Sequence, residues 1–473
     1  MELKSGLELH QQLNTKKLFC NCPSILRNDE PEYVVTRRLH PVPGESGEVD
    51  EAARFEALKR QEFVYECYKD NVCLVDLDES PPYNIDNNAL SIALKIALLL
   101  NCEIIPYTQI MRKTDIDGSN TSGFQRTVLI AKNGYVDTAS GKVGIASVCL
   151  EEDSARIIKQ EKDKIVYRLD RLGIPLVEIA TEPDIKTSEQ AKEIALHLGE
   201  ILRACDVKRG IGTIRQDVNL SIEEGQRIEI KGVQEPALIQ KTIEIEVERQ
   251  KALIKKGNSI AEVRKANPDG TTSFLRPMPS AARMYPETDL PLLYISREVI
   301  NDAKKDLPRL KSELRQDLEK HGLNQEMIKL ILEENKLEDY KTLLNLYKNP
   351  NLIAKLLVLW QREIAVKEKI SEKKLKELLH LDILELILEN VRDKKIDESH
   401  ARAVLTDIAK GKSVQEALKV ERADESHIEE EILKLVKEKP GLSINAYMGL
   451  VMAKFKGKIS GKEIMEILKR IIK

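Results

Sequence analysis

Acidic side chains gather at both ends of the stretch from Leu150 to Asp184. The clustered carboxylates are those of Glu151, Glu152, Asp153, Glu178, Glu182 and Asp184. Between the clusters, Gly173-Ile174-Pro175 predicts a turn that folds the second cluster back towards the first. Mg²⁺ prefers one or two carboxylates and usually carries substrate phosphates, so this pattern predicts a site for a metal and a nucleotide. A solvated loop is the alternative for the acidic triple, but Glu178 favours the site because it interrupts an apolar strand, PLVEIAT.

A second candidate pair lies near the start of the chain. The segment GLELHQQL alternates as a strand does, which places Glu8 and His10 on the same face. An imidazole beside a carboxylate can form a pair of metal ligands, and an exposed strand face is the alternative.

The segment RKTDIDGSNTSGFQRT, residues 112–127, combines small polar residues with flanking cations. Small residues expose main-chain N–H groups that can hold phosphate, whereas a polar hairpin would have much the same composition. The residues that would contact a phosphate are Ser119, Thr121, Ser122 and Gln125. Walker A and dinucleotide-binding motifs are absent from the sequence, so ordinary P-loop and Rossmann sites are excluded.

Two further strand patterns carry charge, at residues 214–221 and 227–231. Alternation places Arg215 and Asp217 on one face of the first strand, and Glu229 and Lys231 on one face of the second strand. Such faces can line an active site or meet water.

Composition narrows the class of protein. The 473 residues include 75 basic and 78 acidic side chains, so the chain is not basic throughout, and any contact with nucleic acid needs a local patch. The sequence has no signal-like segment and no apolar run of membrane-spanning length, so we expect a cytoplasmic protein without membrane contact.

Seven cysteines are scattered along the chain, and this distribution fits reduced thiols. Cys20 and Cys22 have only His40 as a nearby partner, which does not predict a zinc site.

Strand patterns and helical patterns divide the chain. Leu90, Ala93, Leu94, Ala97 and Leu98 predict a buried helix over residues 88–100. Beyond about residue 297 only helical patterns follow, and the stretch from 441 to 473 holds seven basic residues against two acidic ones. The prediction is an α+β fold: an antiparallel-sheet cradle domain at 1–295, an all-helical domain at 296–395, and a small helical tail at 396–473. The lysines of this tail that could contact RNA are Lys454, Lys456, Lys458 and Lys462, and a solvated helix face is the alternative.

Several segments together resemble one family. They are GLELHQQLNTK, LFCNCPS, DGSNTSGFQRT, LEEDSAR, RLDRLGIPLVEIATEPD, IRQDVNLSI and RPMPSAARMYPETDLP. They resemble the GatB/GatE family of tRNA-dependent amidotransferase subunits, and their versions are more similar to the archaeal GatE branch than to bacterial GatB. The likeness extends nearly from end to end.

The resemblance implies a glutamine-synthetase-like cradle that uses ATP and Mg²⁺ to phosphorylate the side-chain carboxylate of glutamate mischarged on tRNA(Gln). Ammonia from an asparaginase-like partner, GatD, would then displace phosphate, within a hetero-oligomer expected to be a heterotetramer. The metal ligands that it implies are His10, Glu152 and Glu178, with Glu8 as a further catalytic residue. It assigns Ser119, Thr121, Ser122 and Gln125 to ATP phosphates, and Arg215, Asp217, Glu229 and Lys231 to the lining of the site or channel.

One departure from the GatE pattern concerns an insertion that resembles a domain of aspartyl-tRNA synthetase. Only residues 257–266 span the place where it is expected. Two alternatives therefore stay open: a tRNA-binding scaffold with impaired catalysis, and a bacterial-type activity that also accepts Asp-tRNA(Asn). A third is a ligase that joins ammonia to a free small-molecule carboxylate. No amidase nucleophile stands out, so ammonia is expected from a partner.

Overall fold

The computed structural model describes residues 2–44, 47–279, 283–419, 425–454 and 461–471. The chain divides into two compact units, Met1–Leu310 and Lys311–Lys473. Among the described residues no helix is both long and apolar enough to cross a membrane.

The first unit combines strands with a few helices. Its strands, among the described residues, are β1 (Leu3–Gln12), β2 (Tyr33–Arg37), β3 (Glu62–Cys67), β4 (Glu103–Ile104), β5 (Tyr107–Thr108), β6 (Ile110–Thr114), β7 (Phe124–Thr138), β8 (Gly141–Glu152), β9 (Arg156–Gln160), β10 (Lys164–Arg168), β11 (Pro175–Thr181), β12 (Ile214–Ile222), β13 (Ile228–Lys231), β14 (Glu262–Ala266), β15 (Thr272–Pro277), β16 (Met284–Pro286) and β17 (Leu293–Tyr294). Its helices there are α1 (Glu51–Ala57), α2 (Asn87–Leu99), α3 (Ser188–Ala204), α4 (Pro236–Ile254) and α5 (Arg297–Lys305).

A large sheet forms the centre of this unit. Its strands follow the order β15-β14-β13-β12-β1-β11-β8-β7-β6-β16, and β4 also pairs with β7. The pairs are antiparallel except for β13 with β14, which is parallel. The predicted α+β class and its largely antiparallel sheet are confirmed.

Helices α2, α3 and α4 contribute to the core on one face of this sheet. Alternate residues of each central strand, such as Leu7 and Leu9 of β1 and Val177 and Ile179 of β11, are buried in this core. Each such side chain contributes about 1.5–3 kcal/mol on burial. Because side chains alternate along a strand, the residues between them point to the opposite face.

A smaller sheet in the order β2-β3-β10-β9 supports residues 117–123, which are part of the loop between β6 and β7. Its core includes Tyr65 and Tyr167. The Tyr65 hydroxyl donates to the carbonyl of Gly118 at 2.9 Å, and the Tyr167 hydroxyl donates to that of Asp117 at 2.8 Å. The loop is thus held at a defined position by buried aromatic side chains.

The second unit is helical throughout its described residues. Its elements are α6 (Lys311–Lys320), α7 (Gln325–Glu333), α8 (Leu337–Leu346), α9 (Pro350–Ala354), a π-helical segment (Lys355–Leu359), α10 (Trp360–Glu368), α11 (Glu372–Leu378), α12 (Leu381–Arg392), a 3₁₀ turn (Glu398–His400), α13 (Ala401–Ala409), α14 (Val414–Ala417), α15 (Glu425–Glu438), α16 (Ile444–Lys454) and α17 (Gly461–Ile471). The helices from α6 to α14 share one core, and α15, α16 and α17 form another around Ile432, Tyr447 and Leu468.

The predicted domain limits at 295 and 395 stay predictions. In the structure, Ala303 of α5 packs into the core of the first unit, and the unit boundary follows Leu310. Of the tail lysines, Lys456 and Lys458 lie outside the described residues. Lys454 ends α16 and Lys462 lies in α17, but the described part of the structure does not extend to their side chains.

Candidate metal centre

The candidate site is built on three neighbouring strands. β1 lies between β11 and β12, and the antiparallel register places His10 opposite Glu178 and Glu8 opposite Asp217. All four side chains share the face that points away from the helices, because Leu7 and Leu9 occupy the helix-covered core. The strand predicted at the start of the chain thus meets the strand of the second acidic cluster.

His10 lies at the centre of this arrangement. Its Nε2 atom is 3.2 Å from Glu178 Oε2, 3.4 Å from Glu8 Oε1 and 3.9 Å from Glu151 Oε2. Burial alone would lower the pKa of His10, but the hydrogen bond and charge of Glu178, together with the other two carboxylates, raise it. Burial and Glu178 raise the pKa of Glu8 to about 7.

Glu152, the expected third ligand, does not join this group. Side chains alternate along a strand, and Glu152 follows Leu150 by two residues on β8. Glu152 therefore points to the same face as Leu150, which is opposite to the face that carries His10. There its Oε2 accepts from the main-chain N–H of Arg126 at 3.2 Å and lies 3.4 Å from the Arg126 guanidinium. Glu151 is the carboxylate of the acidic triple that faces His10.

A lysine holds two of the carboxylates. Lys113 Nζ is 2.9 Å from Glu151 Oε1 and 3.4 Å from Glu178 Oε2. Burial alone would raise the pKa of Glu178, but Lys113 and the hydrogen bond with His10 hold it well below its ordinary value. The same two carboxylates raise the pKa of Lys113 against the effect of burial. Lys113 and His10 therefore stabilise Glu178 as the anion.

The residues predicted to line the site form a second charged row. Lys231 Nζ contacts Asp217 Oδ2 at 3.0 Å and Glu229 Oε1 at 2.7 Å. Burial alone would raise the pKa of Asp217, but Lys231 and His10 lower it. Arg215 instead contacts Asp153 Oδ1 at 2.8 Å. Asp217, Glu229 and Lys231 thus form one charged group beside His10. Arg215 is separate from it and pairs with Asp153, the last residue of the acidic triple.

The donor set suits a hard divalent cation. Two groups each bring three ligand atoms within 4.8 Å of one another: His10 with Glu151 and Glu178, and His10 with Glu8 and Asp217. Carboxylate oxygens and one imidazole match Mg²⁺ or Mn²⁺ better than a thiol-preferring metal. His10 and Glu178 were predicted as ligands, and Glu151 stands where Glu152 was expected.

The predicted phosphate loop uses most of its polar side chains internally. Thr121 Oγ1 donates to the Asp76 carbonyl at 2.6 Å, and Ser122 Oγ donates to that of Phe124 at 2.9 Å. The Ser119 hydroxyl accepts from the side chain of Asn120 at 3.3 Å. These hydroxyl groups therefore shape the loop, and main-chain N–H groups are the better candidates for phosphate.

Gln125, the second residue of β7, contacts the candidate metal centre. Its Nε2 donates to Glu151 Oε2 at 3.1 Å and to the main-chain carbonyl of Glu152 at 2.7 Å. Gln125 thereby orients Glu151.

Comparison with known proteins identifies the family. The sequence model described as the GatB/GatE catalytic domain matches residues 3–301, which is more than half of the chain. The chain belongs to the GatB/GatE family.

The GatB/GatE assignment agrees with full-length relatives. The GatE subunit of glutamyl-tRNA(Gln) amidotransferase from Methanocaldococcus jannaschii is 37% identical, and the alignment covers 100% of this chain and 98% of that protein. Proteins of the same name from Methanococcus maripaludis and Thermococcus sibiricus are each 33% identical, over 100% and 99% of this chain and 98% of each relative. The predicted family and the predicted enzyme class, an amidotransferase subunit, are confirmed.

This GatB/GatE chain is shorter than its relatives. The alignment with the M. jannaschii protein runs over 628 positions against 473 residues here, so at least 155 residues of that relative have no counterpart. In the span 257–266, where the insertion was expected, α4 has already ended at Ile254 and β14 begins at Glu262. β14 pairs with β13, so half of this short span is a strand of the central sheet.

Two residues of the site were missed by sequence reasoning. The signal for Glu151 was available, because the apolar residues Val148 and Leu150 mark the core face of β8 and Glu151 alternates with them. Lys113 was recognised only as a flanking cation, since its contacts with Glu151 and Glu178 depend on β6 lying two strands from β8.

Proposed function

We propose that this chain is the subunit of a tRNA-dependent amidotransferase that converts Glu-tRNA(Gln) to Gln-tRNA(Gln). The observation that carries the proposal is the convergence of His10, Glu151 and Glu178 beside Lys113 on the face of the sheet opposite the helix-covered core. The full-length relatives are named as subunits of glutamyl-tRNA(Gln) amidotransferase, and this name supports Glu-tRNA(Gln) as the proposed substrate.

The proposed reaction has two steps. The glutamyl side-chain carboxylate oxygen first attacks the γ-phosphorus of ATP, and ADP leaves. Ammonia then attacks the carbonyl carbon of the acyl phosphate, inorganic phosphate leaves, and a base takes the proton that nitrogen loses. Phosphorylation is required because a carboxylate oxygen is a poor leaving group.

The chain's own residues supply the metal ligands and the base. His10, Glu151 and Glu178 would hold Mg²⁺, which when bound offsets the negative charge of the phosphates. Lys113 and Gln125 orient Glu151. Glu8, whose carboxylate lies 3.4 Å from His10 Nε2, is the base that would accept the proton from ammonia. The row of Asp217, Glu229 and Lys231 continues the polar surface along the sheet.

Further parts of the proposal rest on the resemblance and on sequence. Ammonia would come from an asparaginase-like partner, GatD, in a cytoplasmic hetero-oligomer, a heterotetramer being the expected form. The basic residues after Gly441 would contact the tRNA backbone. An activity that also accepts Asp-tRNA(Asn) is the alternative for the substrate, and the experiment below separates the two.

A tRNA-binding scaffold is the second candidate, and the missing counterpart of at least 155 residues of a relative favours it. The close grouping of His10, Glu151 and Glu178 with Lys113 favours catalysis instead. The two functions predict different behaviour for a metal-site variant. If the chain is an enzyme, Glu151→Gln should abolish turnover. If the chain is a scaffold, it has no turnover to lose, and Glu151→Gln should bind tRNA as the wild type does.

The decisive experiment measures ATP hydrolysis with Mg²⁺, with and without the asparaginase-like partner. Glu-tRNA(Gln), uncharged tRNA, Asp-tRNA(Asn) and free glutamate are compared. Stimulation by Glu-tRNA(Gln) alone, lost in Glu151→Gln, supports the proposal. Stimulation by free glutamate would show a small-molecule ligase. Intact tRNA binding without stimulation, whether or not the partner is present, would leave the scaffold as the function.

A further inference from the structure

Two arginines meet one carboxylate close to the candidate metal centre. Arg283 Nη2 donates to Asp115 Oδ2 at 3.0 Å, and Arg276 Nη1 lies 4.0 Å from the same oxygen. Arg283 Nε also donates to the main-chain carbonyl of Thr114 at 3.0 Å, so its guanidinium is fixed against the end of β6. Two guanidinium groups therefore share a single carboxylate.

The two arginines come from opposite ends of the large sheet. Arg276 lies in β15, the strand at one end, whereas Arg283 directly precedes β16, the strand at the other end. The sheet therefore curls until its ends approach each other. Residues opposite one another share a face, and the register pairs Glu229 with Val263 and Val263 with Arg276. Arg276 thus lies on the same face as Glu229 and His10.

The shared carboxylate lies between the metal centre and the predicted phosphate loop. Asp115 follows Lys113 by two residues, so in an extended chain their side chains share a face and their Cα atoms are about 6.6 Å apart. On one side, Lys113 contacts the carboxylates of Glu151 and Glu178. On the other side, the main-chain N–H of Asp115 donates to the carbonyl of Gly123 at 2.9 Å and closes the base of the loop. An anion held by the arginines would therefore lie within reach of both.

Arg276 is a largely buried cation with few partners. Its side chain is 12% exposed, and among the described residues Asp115, at 4.0 Å, is its one ion-pair partner. Its Nε is buried and has no hydrogen-bond partner there. Arg264 on the neighbouring strand differs, because its guanidinium contacts Glu262 at 2.6 Å and donates to Thr272 Oγ1 at 2.6 Å. Burying a charge is costly unless it is paired and hydrogen bonded, so the unused donors of Arg276 indicate an anionic ligand.

We propose that Arg276 and Arg283 bind the γ-phosphoryl group of ATP as it passes to the glutamyl carboxylate, an inference that rests on the proposed function. A guanidinium presents N–H donors in a planar fork that matches two phosphate oxygens at once. In the transfer, the bond from the γ-phosphorus to the oxygen of ADP breaks and the bond to the carboxylate oxygen forms. The arginines form no covalent bond, and they offset the charge on the three oxygens that move with the phosphorus.

The test compares the binding of two nucleotides to the full-length chain with Mg²⁺ by titration calorimetry. β,γ-Imido-ATP carries a γ-phosphoryl group and ADP lacks one. Arg276→Gln and Arg283→Gln should each weaken the binding of β,γ-imido-ATP about tenfold or more, because charge-assisted hydrogen bonds are lost, and leave that of ADP within about threefold. Arg54→Gln, at an exposed position of α1, is the control and should change neither affinity. Arg276→Lys keeps the charge and should recover part of the lost affinity.

A measurement on the wild type alone serves if the variants do not fold. β,γ-Imido-ATP should protect Arg276 and Arg283 from modification by phenylglyoxal more than ADP does, as mass spectrometry of the peptides reports. Equal protection by both nucleotides, or none by either, would overturn the proposal.

Three outcomes with the variants would also overturn it. Equal weakening of both nucleotides would show that the arginines only hold the ends of the sheet together. Loss of tRNA binding with unchanged nucleotide binding would assign them to a tRNA phosphate. Unchanged affinities in both variants, with intact binding in the wild type, would refute this inference alone. A wild type that binds neither nucleotide would refute the proposed function together with it.

Discussion

Glu151 and Glu152 are neighbours in the sequence and lie on opposite faces of β8. The Glu151 carboxylate faces His10 Nε2 at 3.9 Å, whereas that of Glu152 contacts Arg126 on the other side of the sheet. Two adjacent carboxylates therefore have separate roles. One completes a candidate metal centre and the other pairs with a buried arginine.

This separation predicts different metal affinities for two matched variants. Glu151→Gln should weaken Mn²⁺ or Mg²⁺ binding by about tenfold or more, because it removes an anionic ligand. Glu152→Gln should leave the affinity within about threefold, since its side chain does not reach the site. A Mn²⁺ titration followed by electron paramagnetic resonance compares them. Loss of affinity in Glu152→Gln alone would return the ligand role to Glu152.

Lys113 should control the acidic limb of the pH–activity profile. It is the first of the groups that lower the pKa of Glu178, so Lys113→Met removes that stabilisation of the anion. The pKa of Glu178 then rises, and activity should be lost at a higher pH on the acid side than in the wild type. The profile of kcat/KM measures the shift. Lys113→Arg keeps the cation and should restore most of it, whereas an unchanged profile in Lys113→Met would exclude this role.

Gly118 should be required for the loop at residues 117–123. Its φ is +89°, and a Cβ atom there would lie 2.2 Å from the ring of Phe63. Gly212 is a matched control with φ +83° and no atom within 4 Å of a Cβ. Replacement by Ala should cost about 1 kcal/mol at 212, from backbone strain alone, and roughly 2–4 kcal/mol at 118. Denaturant unfolding measures both, and equal losses would show that Phe63 yields without cost.

Asp117 should make stability depend on pH. Burial and the charge of Asp115 raise the pKa of its carboxyl to about 6, from an ordinary value of 3.8. The folded chain then holds this proton more tightly than the unfolded chain, so the resulting stabilisation is complete below about pH 4 and is lost as the pH rises through 6. The difference corresponds to roughly 3 kcal/mol.

Asp117→Asn removes this titration while keeping an acceptor for the main-chain N–H of Ser119. The wild type should therefore lose up to about 3 kcal/mol relative to this variant between about pH 4 and pH 7. The free energy of unfolding at each pH gives the difference. Asp163→Asn is the control, because this position is exposed: its free energy of unfolding should change with pH as that of the wild type does. The same pH dependence in Asp117→Asn and the wild type would contradict the predicted effect of burial.

Local pattern was sufficient for much of the fold. Alternation placed Glu8 and His10 on one face of a strand, and helical spacing predicted a buried helix at 88–100, which the structure has at Asn87–Leu99. Both are decided by short-range periodicity, because the same residues that repeat along the chain face the core. The switch to an all-helical second unit followed from the same signal.

The sequence by itself thus determined the helix at 88–100, the α+β class and the two strands that carry His10 and Glu178. Only the tertiary structure decided that Glu151 and not Glu152 faces His10, that Lys113 bridges two carboxylates, and that Cys73 and Asp76 meet Cys20. The reason is physical. Periodicity is a property of neighbouring residues, whereas strand register and loop packing depend on contacts between residues far apart in the chain, where a shift of one position moves every side chain to the other face.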